Sequence, residues 1–132
     1  MQATAFFGKT YGEAMDLLVE ARDYLAHREP IDRETLIPVE RLRVCGETMR
    51  LTARLTQIMA WLLAQRAVHA GEITQAQAIG DHRALAEHAI CMEVTAEAAE
   101  RMPRRLALLL DRSQRLYVRV ARLDELARRQ LA

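Results

Sequence analysis

The amino-acid sequence predicts an all-α protein, a three-helix bundle with a short, broken helical insertion before the last helix. Ala, Leu, Glu and Arg outnumber Val, Ile and Thr, and this mixture favours helix over strand. Three long segments carry apolar residues at alternating spacings of three and four, the period of an amphipathic helix. Glycine and proline are few and separated, so they mark helix boundaries. A chain of 132 residues fits one helical-bundle domain, residues 1–132.

The first helix is predicted from about Tyr11 to Arg28. Thr10 and Glu13 have the spacing of a capping box, in which the two side chains satisfy free N–H groups of the first turn. Pro30 is predicted to end this helix, because the residue before a proline avoids the helical region. The apolar stripe consists of Tyr11, Ala14, Leu18, Ala21 and Leu25. Phe6 and Phe7, just before the helix, are expected to cover one end of the bundle.

The tripeptide Gly8-Lys9-Thr10 matches the end of a phosphate-binding loop. The full pattern requires a glycine five residues before Gly8, where this chain has Ala3, and a strand before the loop. Two residues before Ala3 cannot form that strand. We therefore interpret the match as a coincidence around the capping box.

The second helix is predicted from Val39 to about Ala70, with Pro38 at its first position and Gly71 as its C-cap. One apolar row consists of Leu51, Leu55, Ile58 and Leu62, and a neighbouring row of Thr52, Met59 and Leu63. The combined stripe is wide enough to contact two other helices, which makes this helix the expected centre of the fold.

The segment from Glu72 to Met102 is predicted to be helical but broken. Thr74 to Gln77 has a capping-box spacing that opens a short helix ending near Gly80. Asp81 is expected to cap a second short helix, which carries Leu85, Ala89 and Met92. Thr95 is expected to cap a third piece that extends to Met102.

The last helix is predicted to start at Pro103 and run to the C-terminus. Its apolar seam keeps a three-four spacing typical of packed helices: Leu106, Leu109, Ser113, Leu116, Val120, Leu123 and Ala127. Ser113, Tyr117 and Asp124 line one edge of this seam. We interpret them as a hydrogen-bonded polar layer that fixes the register of the helices.

The sequence offers no pattern that indicates an enzyme, a metal site or a cofactor. The histidines, His27, His69, His82 and His88, lack the spacing of metal ligands. Ser113 has no nucleophile context, and Cys45 and Cys91 have no marked neighbouring base. We expect both cysteines to be reduced in a cytosolic protein. Neither a secretory signal nor an apolar run of membrane-spanning length is visible, so no membrane contact is expected.

Positive charge is concentrated in the last helix. Nine arginines lie between Arg101 and Ala132, although the net charge of the chain is only +1. A candidate basic face consists of Arg112, Arg115, Arg119 and Arg122. Basic helices bind nucleic-acid backbones, so nucleic-acid binding is the alternative function. No aromatic residues interleave with the arginines, and the acidic middle segment, from Glu72 to Glu100, is expected to offer them partners within the chain.

Trp61 lies off the centre of the apolar stripe of the second helix. Arg50, Arg54 and Val68 fall on the same face at spacings of eleven and seven residues. A tryptophan flanked by arginines is typical of an interface anchor, so these four residues form a candidate protein-interaction surface. The alternative is that the middle segment, or Phe6 and Phe7, cover Trp61 within the protomer.

Three blocks of sequence resemble the alphaproteobacterial RcdA family, which is named for regulation of CtrA degradation. The blocks are FFGKTYGEAMDLLVEARDYL, RLTARLTQIMAWLLAQRAVHAGEIT and MPRRLALLLDRSQRLYVRVARLDE. The resemblance implies a small helical bundle that forms a homodimer. It also implies a non-enzymatic adaptor in regulated proteolysis by ClpXP during the bacterial cell cycle. The implied partners are the ClpX unfoldase, a response regulator or another protein cargo. Longer relatives carry a flexible tail after the last helix that is implicated in adaptor function, and this chain stops at ARRQLA.

Overall fold

The computed structural model describes the backbone of residues 2–92 and 102–131, and the side chains from residue 7 onward within those ranges. The described residues form six α-helices: α1 (Gln2–Asp23), α2 (Glu29–Glu34), α3 (Pro38–His69), α4 (Gln75–Gly80), α5 (Ala89–Met92) and α6 (Arg104–Leu131). A π-helical turn (Tyr24–Arg28) joins α1 to α2, and a 3-10 turn (Leu85–Glu87) precedes α5. The prediction of an all-α three-helix bundle is confirmed, with α1, α3 and α6 as its long helices.

Helix α1 starts well before the predicted capping box, so that prediction is wrong. Thr10 lies within the helix and is buried. Glu13 pairs with Arg119 of α6 instead of reaching back to the first turn. A tertiary ion pair and the burial of Thr10 therefore replace the local cap. The backbone around Gly8-Lys9-Thr10 is helical, which is incompatible with a phosphate-binding loop. Phe7 covers one end of the bundle as predicted, whereas the side chain of Phe6 lies outside the described residues.

Pro30 does not end the first helical segment, contrary to the prediction. The helix widens into the π-helical turn, where the N–H of Glu29 donates to the carbonyl of Tyr24, five residues earlier. Proline lacks an N–H and its ring crowds the preceding turn. The wider turn removes this conflict, so Pro30 lies in the first turn of α2 and the chain continues to Glu34.

Helix α3 has the predicted boundaries and spans about 48 Å. Pro38 occupies its first turn, and the N–H of Arg41 donates to the carbonyl of Ile37 at 2.9 Å. At the other end Gly71 has a φ of +77°, a conformation that suits glycine. Its N–H bonds the carbonyl of Val68, and the next N–H bonds the carbonyl of Ala67, which forms a Schellman motif.

The insertion contains the predicted capping box but not the second predicted cap. Thr74 and Gln77 exchange side-chain and main-chain hydrogen bonds at the start of α4. Asp81 is the C-cap of α4, and the following stretch forms a 3-10 turn and the four-residue α5 rather than one capped helix. The cap predicted at Thr95 lies outside the described residues.

The contacts between the long helices define their directions. Phe7 of α1 packs on Trp61 and His69, near the end of α3, so α1 and α3 are antiparallel. The pairs Glu13–Arg119 and Glu20–Arg112 make α1 and α6 antiparallel as well. Helices α3 and α6 are therefore parallel, and the described part of the insertion before α6, residues 72–92, lies along the groove between them. The core of these three helices includes Tyr24, Leu51, Ile58, Leu106, Tyr117 and Val120.

Candidate protein-interaction surfaces

The face of α3 that carries Trp61, Arg50, Arg54 and Val68 points towards the chain's own insertion. Trp61 is 7% exposed and Arg54 is 3% exposed, whereas Val68 is partly buried. The indole ring of Trp61 packs against Phe7 with a centroid distance of 5.8 Å. The alternative, in which Trp61 is covered within the protomer, therefore describes its position. A role of these four residues in binding a partner stays a prediction.

The two arginines of this face bind main-chain carbonyls of the insertion. Nε of Arg54 donates to the carbonyl of Cys91 at 2.9 Å, and Nε of Arg50 donates to that of Ile90 at 3.1 Å. A terminal nitrogen of Arg54 also reaches Oγ of Ser113 at 3.3 Å. Burial, together with the nearby charge of Arg50, lowers the pKa of Arg54. Charge-assisted bonds compensate in part for removing this guanidinium from water.

Asp124 connects α6 to both the insertion and α3. Its carboxylate accepts hydrogen bonds from Nε1 of Trp61 and from the main-chain N–H of Leu85, each at 3.1 Å. Arg128 donates to both carboxylate oxygens at 3.1 Å, so the buried charge of Asp124 is paired. The same Arg128 reaches the carbonyl of His82 at 2.8 Å.

Ser113 and Tyr117 complete a buried polar layer with Asp124, as the sequence predicted. The hydroxyl of Tyr117 donates to the carbonyl of Leu85 at 2.5 Å, and Oγ of Ser113 donates to that of Leu110 at 2.9 Å. Burial raises the pKa of Tyr117 well above the ordinary value of a tyrosine and also raises that of the neighbouring Cys91. Both groups are therefore neutral at physiological pH.

The basic face of α6 is half occupied by acidic residues of α1, rather than by the acidic middle segment that the sequence indicated. Arg112 pairs with Glu20 and Arg119 pairs with Glu13, and all four side chains are about half exposed. Arg115 pairs along α6 with Asp111 at 2.7 Å. Together with Arg122, the basic side chains line an open groove of about 550 Å³ that also contains Glu13 and Asp16. These carboxylates reduce the positive potential that a nucleic-acid backbone requires.

An uncharged stripe on α3 is largely exposed, although the sequence predicts that its members Thr52, Met59 and Leu63 pack against another helix. Leu42, Met49 and Leu63 are 74%, 64% and 50% exposed. The stripe follows a three-four spacing: Leu42, Cys45, Met49, Thr52, Thr56, Met59 and Leu63. Between Met59 and α1 it borders an apolar groove of about 540 Å³. The three-four spacing of these residues could have indicated the stripe, because it forms a second row beside Leu51, Leu55, Ile58 and Leu62, which pack in the core.

The threonines of this stripe present methyl groups to solvent. The hydroxyl of Thr52 donates to the carbonyl of Thr48 at 2.9 Å, and that of Thr56 donates to the carbonyl of Thr52 at 2.8 Å. Because these hydroxyls are satisfied by their own helix, they need no external partner. The stripe is therefore less polar than its sequence indicates, and it can be covered without leaving a hydroxyl unsatisfied.

Within residues 2–92 and 102–131, no group of three or more His, Cys, Asp or Glu side chains could hold a metal ion. Cys45 is exposed and Cys91 is buried, and both are free thiols. In the same part of the chain, every helix is too short or too polar to serve as a transmembrane span.

Comparisons with known proteins identify relatives over nearly the whole chain. The family model described as "Protein of unknown function (DUF1465)" matches residues 1–132. Among solved structures, the chain is similar to RcdA from Caulobacter crescentus CB15. The two are 39% identical with a TM-score of 0.70, and the match covers 92% of this chain and 89% of that chain. No curated protein sequence matches the chain.

Proposed function

The chain belongs to the DUF1465 family and is related to RcdA, and on this premise we propose that it is a non-enzymatic protein-interaction module. The likeness to RcdA is the observation that carries this proposal, because at this identity and coverage the whole fold is shared. The finer proposal is an adaptor of ClpXP-dependent proteolysis in the bacterial cell cycle. Its partners would be the ClpX unfoldase, a response regulator or another cargo, in the cytoplasm.

The arrangement of buried groups supports a binding role over a catalytic one. The polar side chains of the core, including Arg54, Tyr117 and Asp124, bond main-chain groups of the insertion or each other. Such groups position structural elements and are not directed at an open pocket. Trp61, Arg50, Arg54 and Val68 remain the proposed docking face, of which Arg50 and Val68 are only partly buried.

We further propose that the protein is a homodimer whose two copies pack through the uncharged stripe of α3. A two-fold axis near Thr52 and Ala53 would place Met49 of one copy against Thr56 of the other and Leu42 against Leu63. Beside these residues α3 carries three small ones, Gly46, Ala53 and Ala60, which allow two helices to approach closely. Covering the stripe also removes a long exposed apolar surface from water.

A reconstituted degradation assay tests the adaptor proposal. The chain is added to ClpXP with a response-regulator substrate, and binding of ClpX and of the substrate to the chain is measured in parallel. We expect faster degradation with the chain than without it. The matched control combines Trp61→Ala with Arg115→Ala and Arg122→Ala, after circular dichroism shows that its helicity is retained. Absence of binding to both proteins, together with an unchanged degradation rate, would leave only the helical bundle.

The alternative, nucleic-acid binding, would use Arg112, Arg115, Arg119 and Arg122. It requires Arg112 and Arg119 to exchange their carboxylate partners for phosphates. A gel-shift assay at low salt tests it, since binding through these arginines would weaken steeply with added salt. No shift at low salt would remove this alternative.

A further inference from the structure

Residues 82–92, here called the strap, lie between α3 and α6 and are held mainly through their main chain. Side chains of the two long helices donate hydrogen bonds to five strap carbonyls, those of His82, Leu85, Ile90, Cys91 and Met92. A sixth bond joins the N–H of Leu85 to Asp124. Of the eleven strap residues, all of which the structure describes, Leu85 and Cys91 have buried side chains.

This mode of attachment depends little on the strap's own sequence. Carbonyl groups are common to every polypeptide, so the donors of α3 and α6 can receive another chain with a similar path. Recognition of main-chain groups plus a few side-chain anchors is how many proteins bind peptide segments. The groove adds two such anchor positions, which Leu85 and Cys91 fill six residues apart.

The chain has enough length to release the strap while the bundle stays folded. Because α3 and α6 are parallel, the connection must return over about 42 Å, the length of the 28-residue α6. Residues 71–103 could extend to roughly 110 Å. A segment with few buried side chains and this much slack opens at a lower free energy than the long helices.

We propose that the strap is a displaceable internal ligand and that the α3–α6 groove binds, in its place, a segment of a partner protein that takes the same turned path. The partner segment would present main-chain carbonyls to Arg50, Arg54 and Tyr117. It would also place two apolar side chains six residues apart. This inference rests on the protein-docking function proposed above and names the segment that the docking face recognises. The strap competes with such a segment. The apparent affinity of the groove is therefore its intrinsic affinity multiplied by the fraction of time that the groove is open.

A labelled peptide of the strap sequence, HRALAEHAICM, tests the proposal by fluorescence anisotropy on the full chain. Leu85→Ala removes one of the two buried anchors of the strap and leaves the groove donors of α3 and α6 unchanged. We expect this variant to bind the peptide at least about 10-fold more tightly than the unmodified chain. Ile90→Ala, a matched change at an exposed strap position, should leave the affinity unchanged. A peptide with Asp in place of its Leu and Cys should not bind.

Hydrogen exchange on the unmodified chain provides a measurement that does not depend on the folding of a variant. The amide of Leu85 should exchange faster than buried amides of α3, because the strap opens while the bundle remains folded. Two results would overturn the proposal: equal exchange rates for the strap and α3, or no gain in peptide affinity for a folded Leu85→Ala protein. Neither result would decide the docking function proposed above, which is tested separately by the binding of ClpX and of the substrate.

Discussion

The indole N–H of Trp61 donates a 3.1 Å hydrogen bond to the carboxylate of Asp124. The residue that the sequence indicates as an interface anchor therefore binds the chain's own last helix. The same carboxylate holds the main-chain N–H of Leu85. One side chain thus links α3, α6 and the strap. The stability of the bundle and the position of the strap are therefore coupled through Asp124.

Replacing Asp124 with alanine is expected to lower the free energy of unfolding by about 3–5 kcal/mol, because removing one partner leaves buried groups unpaired. Trp61, Leu85 and Arg128 would all lose an acceptor. Urea denaturation measures the change. Glu125→Ala is the matched control, since the side chain of Glu125 is exposed and its change should stay within about 0.5 kcal/mol. Equal effects of the two substitutions would contradict the assignment of Asp124 as the central acceptor.

Replacing Arg54 with methionine is expected to destabilise the fold by about 1–3 kcal/mol. Methionine fills much of the same volume, and the loss of a buried charge offsets part of the effect. The carbonyl of Cys91, however, loses the donor that reaches it at 2.9 Å. Arg115→Met is the control, because the side chain of Arg115 is 78% exposed and its pair with Asp111 is a surface ion pair. If both variants unfold at the same urea concentration, Arg54 does not hold the strap.

Several helix boundaries could be predicted because the responsible residues are local. Pro38, Gly71 and Pro103 each act on the backbone within a few residues. Helix α3 begins and ends, and α6 begins, where these residues indicate. The capping box at Thr10 and Glu13 has a correct local spacing, yet it is wrong. Its spacing contains no information about Arg119, which lies more than one hundred residues away and takes the carboxylate.

The candidate site shows the same limit. The sequence identified Trp61, Arg50 and Arg54 as one face, and it identified Ser113, Tyr117 and Asp124 as a polar layer. It could not show that the two sets contact each other, as Trp61 does with Asp124 and Arg54 with Ser113, because these contacts depend on the parallel packing of α3 and α6. The broken pattern of the insertion also hid its role, since a segment held through main-chain carbonyls needs few apolar side chains of its own.

Alkaline pH should destabilise the protein through two buried tyrosines. Burial raises the pKa of both Tyr24 and Tyr117 above the value of about 10 that tyrosine has in an unfolded chain. A raised pKa in the folded state means that the stabilisation is complete below about pH 10 and is lost as the pH rises further. Unfolding free energies measured from about pH 8 to pH 11 should fall at the upper end. The double variant Tyr24→Phe, Tyr117→Phe should show a flatter decline, and an unchanged slope would exclude the two phenols as its cause.

The two cysteines should differ in reactivity towards a thiol reagent. Cys45 is exposed, whereas Cys91 is 1% exposed and its pKa is raised, first of all by burial. Because the thiolate is the reactive form, Cys91 should be labelled at least about 100-fold more slowly. Mass spectrometry of the labelled protein over time gives both rates, and Cys45→Ser isolates the slow one. Equal rates for the two thiols would mean that the α3–α6 groove does not bury the side chain of Cys91.

Replacing Met49 with aspartate should dissociate the proposed homodimer without unfolding the protomer. Met49 is 64% exposed in the middle of the uncharged stripe, so a carboxylate there costs little in the monomer but would be buried against Thr56 of a second copy. We expect the dissociation constant to rise about 30-fold or more, the effect of a central interface residue. Sedimentation velocity over a concentration series measures it. Leu108→Asp is the matched control, because Leu108 is 54% exposed on α6, away from the stripe. An unmodified chain that sediments as a monomer, or a Met49→Asp protein that dimerises as before, would show that this face of α3 is not the interface.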